Sequence, residues 1–178
     1  MVLPSFATAR LALTPRSMAD FDACLAMDQD PQVTRHIHGP WADPAAHRAF
    51  LRDRIQADHG PGLGYWTIRP RDDRAEDAQG FLGWILLIPL DALGPEIEIG
   101  WRLPRHAWGQ GLATEAARPI LDHGLRTLGL PKIVADIHTA NPASLAVAAK
   151  LGLRPTTTWQ ERGDQILRHE ITPADLAP

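Results

Sequence analysis

Two spacings divide the chain. In residues 96–103, EIEIGWRL, apolar and polar positions alternate strictly. Ile97, Ile99 and Trp101 point one way, and Glu96, Glu98, Gly100 and Arg102 the other, which predicts a strand. From Leu112 the spacing lengthens to about 3.6 residues. Leu112, Ala116 and Ile120 join Ala113, Ala117, Leu121, Leu125 and Leu128 in one apolar stripe. Glu115, Arg118, Asp122 and Arg126 line the opposite face, so a helix is expected over 112–128. Pro119 sits inside it, lacks a backbone donor and should kink or weaken it.

The same two spacings place the remaining elements. Strands are expected at 10–14, 64–69, 80–88, 132–138, 155–161 and 165–171, the last two joined by a turn at 162–164. The charged stretch RPRDDRAED reads as the turn between the second and third of these strands. Helices are expected at 20–27, with Ser17 as N-cap and Asp20 as its third-position acid, and at 43–59. A shorter helix follows Asn141, with Pro142 at its first position and Gly152 at its exit. Residues 34–41, TRHIHGPW, form a polar and aromatic loop. The order is β-α-α-β-β-β-α-β-α-β-β. Strand–helix–strand over 96–138 implies one parallel pair inside a mostly antiparallel sheet, an α+β fold.

Composition narrows the function. A chain of 178 residues suits one domain with a sizeable core. A net charge of −3 lacks the basic excess that binding nucleic acid through its phosphates requires. The apolar run FLGWILLIPL is too short for a membrane span and reads as a buried strand. The N-terminal residues lack the pattern of a signal peptide. The single cysteine, Cys24, has no internal disulfide partner and reads as a small core residue. A cytoplasmic protein is expected.

The strand-to-helix junction carries the candidate chemistry. In HAWGQGLATEA, Gly109 and Gly111 stand one residue apart where the strand spacing gives way to the helical one. Glycine belongs where backbone must bend sharply or approach a ligand, and free N–H groups at a helix start hold anions. A dinucleotide fingerprint fails at its third glycine, where Thr114 stands. A nucleotide-triphosphate loop fails for want of its Lys and Ser/Thr. A tight structural turn and a phosphate site both remain open on these residues.

EIGWRLP, then HAWGQGLATEA, then NPASLAVAAKLGL, in this order and spacing, resemble the GNAT acetyltransferase superfamily. The resemblance is nearer to the group that contains the ribosomal-protein, Rim-type N-acetyltransferases. It starts at TARLALTP and covers nearly the whole chain, including DPQVTRHI. It implies the GNAT fold, acetyl-CoA as co-substrate and a primary amine as acceptor, either a protein or peptide N-terminus or a small molecule. Trp108, Gly109, Gln110, Gly111, Leu112 and Ala113 would then hold the pyrophosphate. The backbone of Trp101, Arg102 and Leu103 would pair with the pantetheine arm. The strands near 101 and 135 would have to splay to admit it. His106 stands where the family usually has Gln or Arg.

Acetyl transfer to an amine needs a base, polarisation of the thioester oxygen and a partner for the leaving thiolate. Glu98 is the best-placed base candidate and Glu96 a weaker one. Backbone N–H groups near 99–101 could polarise the oxygen. The tyrosine acid of many GNAT enzymes is absent, because its position holds Ala148 and the one tyrosine is Tyr65. Ser144 is the expected partner of the sulfur, with Asn141 on pantetheine or a water, alongside plain capping roles for both. His36, His38, Trp41 and Trp66 are candidates for the acceptor pocket. The pair His36-x-His38 has no third ligand at a recognisable spacing, so no metal is expected. His106, His123 and His138 read as structural or surface residues. With no activated cysteine, transfer should be direct. A non-catalytic acyl-CoA-binding module is the competing reading. A homodimer is the common default for such chains.

Overall fold

The computed structural model describes residues 3–71, 80–92 and 94–176. Among the described residues eight strands form one sheet: β1 (Phe6–Ala7), β2 (Leu11–Pro15), β3 (Gly64–Pro70), β4 (Trp84–Pro89), β5 (Ile97–Arg102), β6 (Ile133–His138), β7 (Arg154–Glu161) and β8 (Asp164–Ile171). They lie in the order β1-β2-β3-β4-β5-β6-β8-β7. Every pairing is antiparallel except β5 with β6. The helices are α1 (Phe21–Asp28), α2 (Pro31–Thr34), α3 (Pro44–Gln56), α4 (Leu112–Asp122) and α5 (Pro142–Leu151).

Strand β4 explains the apolar run. Trp84, Leu86 and Ile88 pack with Phe21, Leu25 and Leu51 under α1 and α3. Ile85 and Leu87 pack with Ala116, Ile120 and Leu121 of α4 on the other face. A strand covered on both sides needs no polar positions. The expected strand 80–88 begins later, at Trp84, because Gly83 (φ +113) leads into it and a Cβ there would strike the Arg102 carbonyl. Residues 72–77 of the expected charged turn lie outside the described residues.

The expected caps are present. Ser17 and Asp20 form a reciprocal capping box, although Asp20 closes a short 3-10 turn and α1 starts at Phe21. Asp43 caps α3, which stops at Gln56, short of the expected His59. Thr34, expected in a loop, ends the four-residue helix α2, capped by Asp30 with Pro31 at its first position. The two-residue strand β1 carries no readable periodicity.

The long helix expected over 112–128 is two pieces. α4 passes through Pro119 and ends at Asp122; a single π turn, His123–Thr127, follows. The Leu128 N–H donates to the His123 carbonyl, five residues back, at 2.9 Å. His123 is buried, and its Nε2 donates to the Gly62 carbonyl at 2.9 Å. Glu115 serves a tertiary role. It accepts from the Thr8 hydroxyl (2.6 Å), the Arg10 N–H (2.9 Å) and Arg10 Nε (2.7 Å). Arg10 also donates to the Gln110 carbonyl at 3.1 Å, which ties the N-terminal segment to the glycine turn.

Candidate active site

Strands β5 and β6 share one register pair, Glu98 with Val134. Beyond it they part, and the β6-side edge of residues 99–102 faces no strand among the described residues. A cleft of about 570 Å³ opens there. The β5 end, the glycine turn and the start of α5 wall it, and α2 with the following loop crosses over it.

The turn is built to leave donors free. Gly109 (φ +73) and Gly111 (φ +76) both lie in the left-handed region. Among the described residues, the N–H groups of Gly109, Gln110 and Gly111 have no partner. Leu112 and Ala113 open α4, where N–H groups lack intrahelical acceptors. A Cβ on Gly109 would point into open space. The result is a row of donors at the positive end of a helix, arranged for an anion.

Most of the expected residues meet at this cleft. Trp101, Arg102, Leu103, Trp108, Gly109, Gly111, Leu112, Ala113, Asn141, Ser144 and His36 all line it. Some details differ from expectation. The Trp108 N–H is used, by the Arg105 carbonyl at 3.1 Å, and its indole donates to the Leu103 carbonyl at 2.7 Å. Gln110 turns its side chain back to the His106 carbonyl at 2.8 Å. Asn141 caps α5, its Oδ1 accepting from the Ser144 N–H at 3.1 Å. The Ser144 hydroxyl accepts from the Trp101 indole at 3.3 Å, a bridge from β5 to α5 across the cleft.

Glu98 lies on the other face of β5, with Gly100 and Arg102. Its carboxylate has no hydrogen-bond or ion-pair partner among the described residues. It keeps some solvent contact but sits deep in the protein, and burial, followed by the charge of Asp136, pushes its pKa up to about 7. Glu96 is committed elsewhere. It pairs with Lys132 (2.9 Å) and Arg168 (2.5 Å), and the Lys132 bond leads in holding its carboxyl below the usual range. Arg168 also grips Asp136 with two 2.7 Å bonds. Sequence reasoning did not connect Asp136 or Arg168 with Glu98, although the alternation in β6 and β8 puts both on the Glu98 face.

The acceptor-pocket candidates scatter. His36 lines the cleft, its ring 4.8 Å from that of His138, and burial leads in lowering its pKa. His38 is exposed outside the cleft, where it and His138 each lie 3.1 Å from an Asp164 oxygen. This ties the loop after α2 to the β7–β8 turn. Trp41 is a brace, donating to the Ile37 carbonyl at 2.8 Å and packing edge-on against His47 and Phe50. Trp66 is a correction. It is 0% exposed in the core on the α4 side and its indole donates to the Pro4 carbonyl. Alternation along β3 puts Tyr65, not Trp66, on the α1–α3 face. Among the described residues no group of three His, Cys, Asp or Glu is arranged to hold a metal.

Cys24 is on the buried side of α1, and burial pushes its thiol up to about 12. The native protein should therefore resist a thiol-specific reagent over a period in which the urea-unfolded chain reacts fully.

The GNAT acetyltransferase domain model matches residues 10–154. An FsC-acetyl coenzyme A-N(2)-transacetylase of Aspergillus fumigatus is 30% identical over 170 residues, covering 90% of this chain and 69% of the relative. The crystal structure of an acetyltransferase from Agrobacterium tumefaciens superposes with a TM-score of 0.77 at 28% identity, covering 96% of this chain and 95% of its own. A spermidine N-acetyltransferase from Vibrio cholerae, solved with CoA and spermine, has the same fold at 15% identity (TM-score 0.73, covering 94% and 98%). The chain belongs to the GNAT family and is an N-acetyltransferase. Among the described residues no helix is long and apolar enough to cross a membrane.

Proposed function

We propose that this chain is a single-domain, cytoplasmic enzyme that moves an acetyl group from acetyl-CoA directly onto a primary amine. The observation that carries the reading is the geometry of the splay. Unpartnered N–H groups stand at one end of the cleft, and an unpaired carboxylate stands where the strands part. The residues present fit CoA. The Gly109–Ala113 turn would hold the pyrophosphate, and the open β5 edge would pair with pantetheine as an added strand. Acetyl-CoA supplies the activated acetyl group as a thioester.

The protein's part is positioning and proton handling. A carboxylate with a pKa near 7 is matched to taking a proton from an ammonium at neutral pH, directly or through water. Backbone N–H groups alternate between the two edges of β5, and those of residues 99–101 that point away from β4 can polarise the thioester oxygen. Ser144, held by the Trp101 indole, keeps its own hydroxyl proton free to donate to the sulfur. Ser144→Ala should lower kcat by about fivefold, near 1 kcal/mol, with the KM for amine unchanged. The Asn141-x-x-Ser144 pattern supports a place near the Rim-type enzymes.

The acceptor could be a protein N-terminus or a small amine. The name of the Aspergillus relative, an acetyl coenzyme A-N(2)-transacetylase, supports transfer to a nitrogen. The test is release of free CoA thiol from acetyl-CoA across a panel of primary amines and N-terminal peptides. Amine-dependent release supports the enzyme. Tight acetyl-CoA binding with no release for any amine points to an acyl-CoA-binding module.

A further inference from the structure

A second pocket, of about 200 Å³, lies on the α3 side of the sheet, between the C-terminal end of α3 and the first residues of β3. Two guanidinium groups line it, Arg16 and Arg54, and neither has a carboxylate partner among the described residues. Arg16 lies 3.5 Å over the Tyr65 ring and donates to the Arg54 carbonyl at 3.2 Å. Its Nε is sealed from solvent without a partner, and so is Nε2 of His59. Arg54 donates to the Tyr65 hydroxyl at 3.0 Å, which leaves the phenolic proton free to donate onward. The pocket's carboxylate, Asp58, turns one oxygen to the Gly60 N–H at 2.9 Å.

Two neighbouring cations without a carboxylate partner repel each other, and an arginine fork pairs best with an oxyanion. We infer that this pocket receives an oxyanion carried by the acceptor, so that the preferred acceptors are amines bearing a carboxylate. The inference rests on the acetyl-transfer reading for its link to catalysis. The register supplies that link. Tyr65 pairs with Leu86, and Leu86 with Gly100, the neighbour of Glu98 on the same face. Two strand spacings, about 10 Å, thus separate Tyr65 from the base strand. The charge of Arg54 also reaches Glu98 and opposes its upward shift. An acceptor with its amine at Glu98 and its carboxylate at Arg54 is therefore extended, with several bonds between the two groups.

Two measurements test this. The first compares KM for glycine, 4-aminobutyrate and 6-aminohexanoate with KM for their amides, in wild type and in Arg54→Gln. The longer carboxylates should have KM values at least tenfold below their amides, and Arg54→Gln should bring that ratio toward one. Acetyl-CoA protection against heat should be retained in the variant, which shows that it is folded. The second follows the His59 imidazole by NMR as inorganic sulfate is added. Burial leads in holding this group's pKa low, with Arg16 and Arg54 adding to the effect and the Arg54 backbone and Asp58 opposing it. A bound anion should raise its pKa in a saturable way. Equal KM values for acids and amides overturn the assignment, whether or not sulfate moves His59. If no amine of either kind releases thiol, the transfer reading fails. A silent His59 then sinks the pocket as well, and a saturable response keeps it as an anion site.

Discussion

Glu98→Gln should lower kcat/KM about 100-fold at pH 8, with acetyl-CoA affinity unchanged. A positioned general base contributes roughly 10²–10⁴-fold, and Gln keeps the shape while removing the proton acceptor. The pH profile makes the test specific. With the carboxyl at about 7, wild-type kcat/KM should climb through that pH and level off above it. The variant should lose that limb. Stability should move the opposite way. The folded pKa lies above the unfolded value, so the native state binds the extra proton between about 4.5 and 7. The stabilisation is complete below the unfolded pKa and is lost as pH rises through the folded one. At pH 8 wild type carries a half-buried, unpaired charge that the variant lacks. Glu98→Gln should therefore melt higher than wild type at pH 8 while turning over far more slowly.

Gly109→Val should weaken acetyl-CoA binding by about 100-fold. Two effects combine. Residue 109 sits at φ +73, where a β-branched side chain is strained by roughly 1–2 kcal/mol. The added isopropyl group would also fill the open space in front of the free N–H groups. Gly129→Val separates the two effects. Gly129 has φ +67 and open space around it, but lies outside the cleft. Both variants should melt a few degrees lower, and the Gly109 variant alone should lose affinity. Equal losses of affinity would mean that the turn acts through backbone strain and not through ligand contact.

The local signals that were readable have local causes. The EIEIGWRL alternation, the Ser17 and Asn141 caps and the change of spacing at Leu112 each sit within a few residues, and each appears as expected. The parallel pair followed from a strand–helix–strand order that can close in few ways. What stayed hidden depends on distant partners. Arg168 meets Asp136 across 32 residues and Glu96 across 72, and no spacing announces either contact. No spacing singles out Arg16 and Arg54, which the fold joins on Tyr65. Trp66 misled because a tryptophan beside Tyr65 looks available, although adjacent strand residues face opposite sides. The π turn after Pro119 likewise rests on tertiary contacts, with His123 turned inward to Gly62. The cleft was readable in outline because its turn, strand edge and cap are contiguous motifs. The acceptor side was not, because loops and three separate strands assemble it.

The most direct measurement is thermal unfolding of the protein alone and with acetyl-CoA, CoA, NAD and ATP. A ligand that binds only the native state at 100 times its Kd stabilises by about 2.7 kcal/mol, a shift of several degrees. Acetyl-CoA and CoA should raise the midpoint and NAD and ATP should not, with the CoA effect lost in Gly109→Val. Protection by NAD or ATP without protection by acetyl-CoA would contradict the account at its centre, because the Gly109–Gly111 donors would then serve another phosphate.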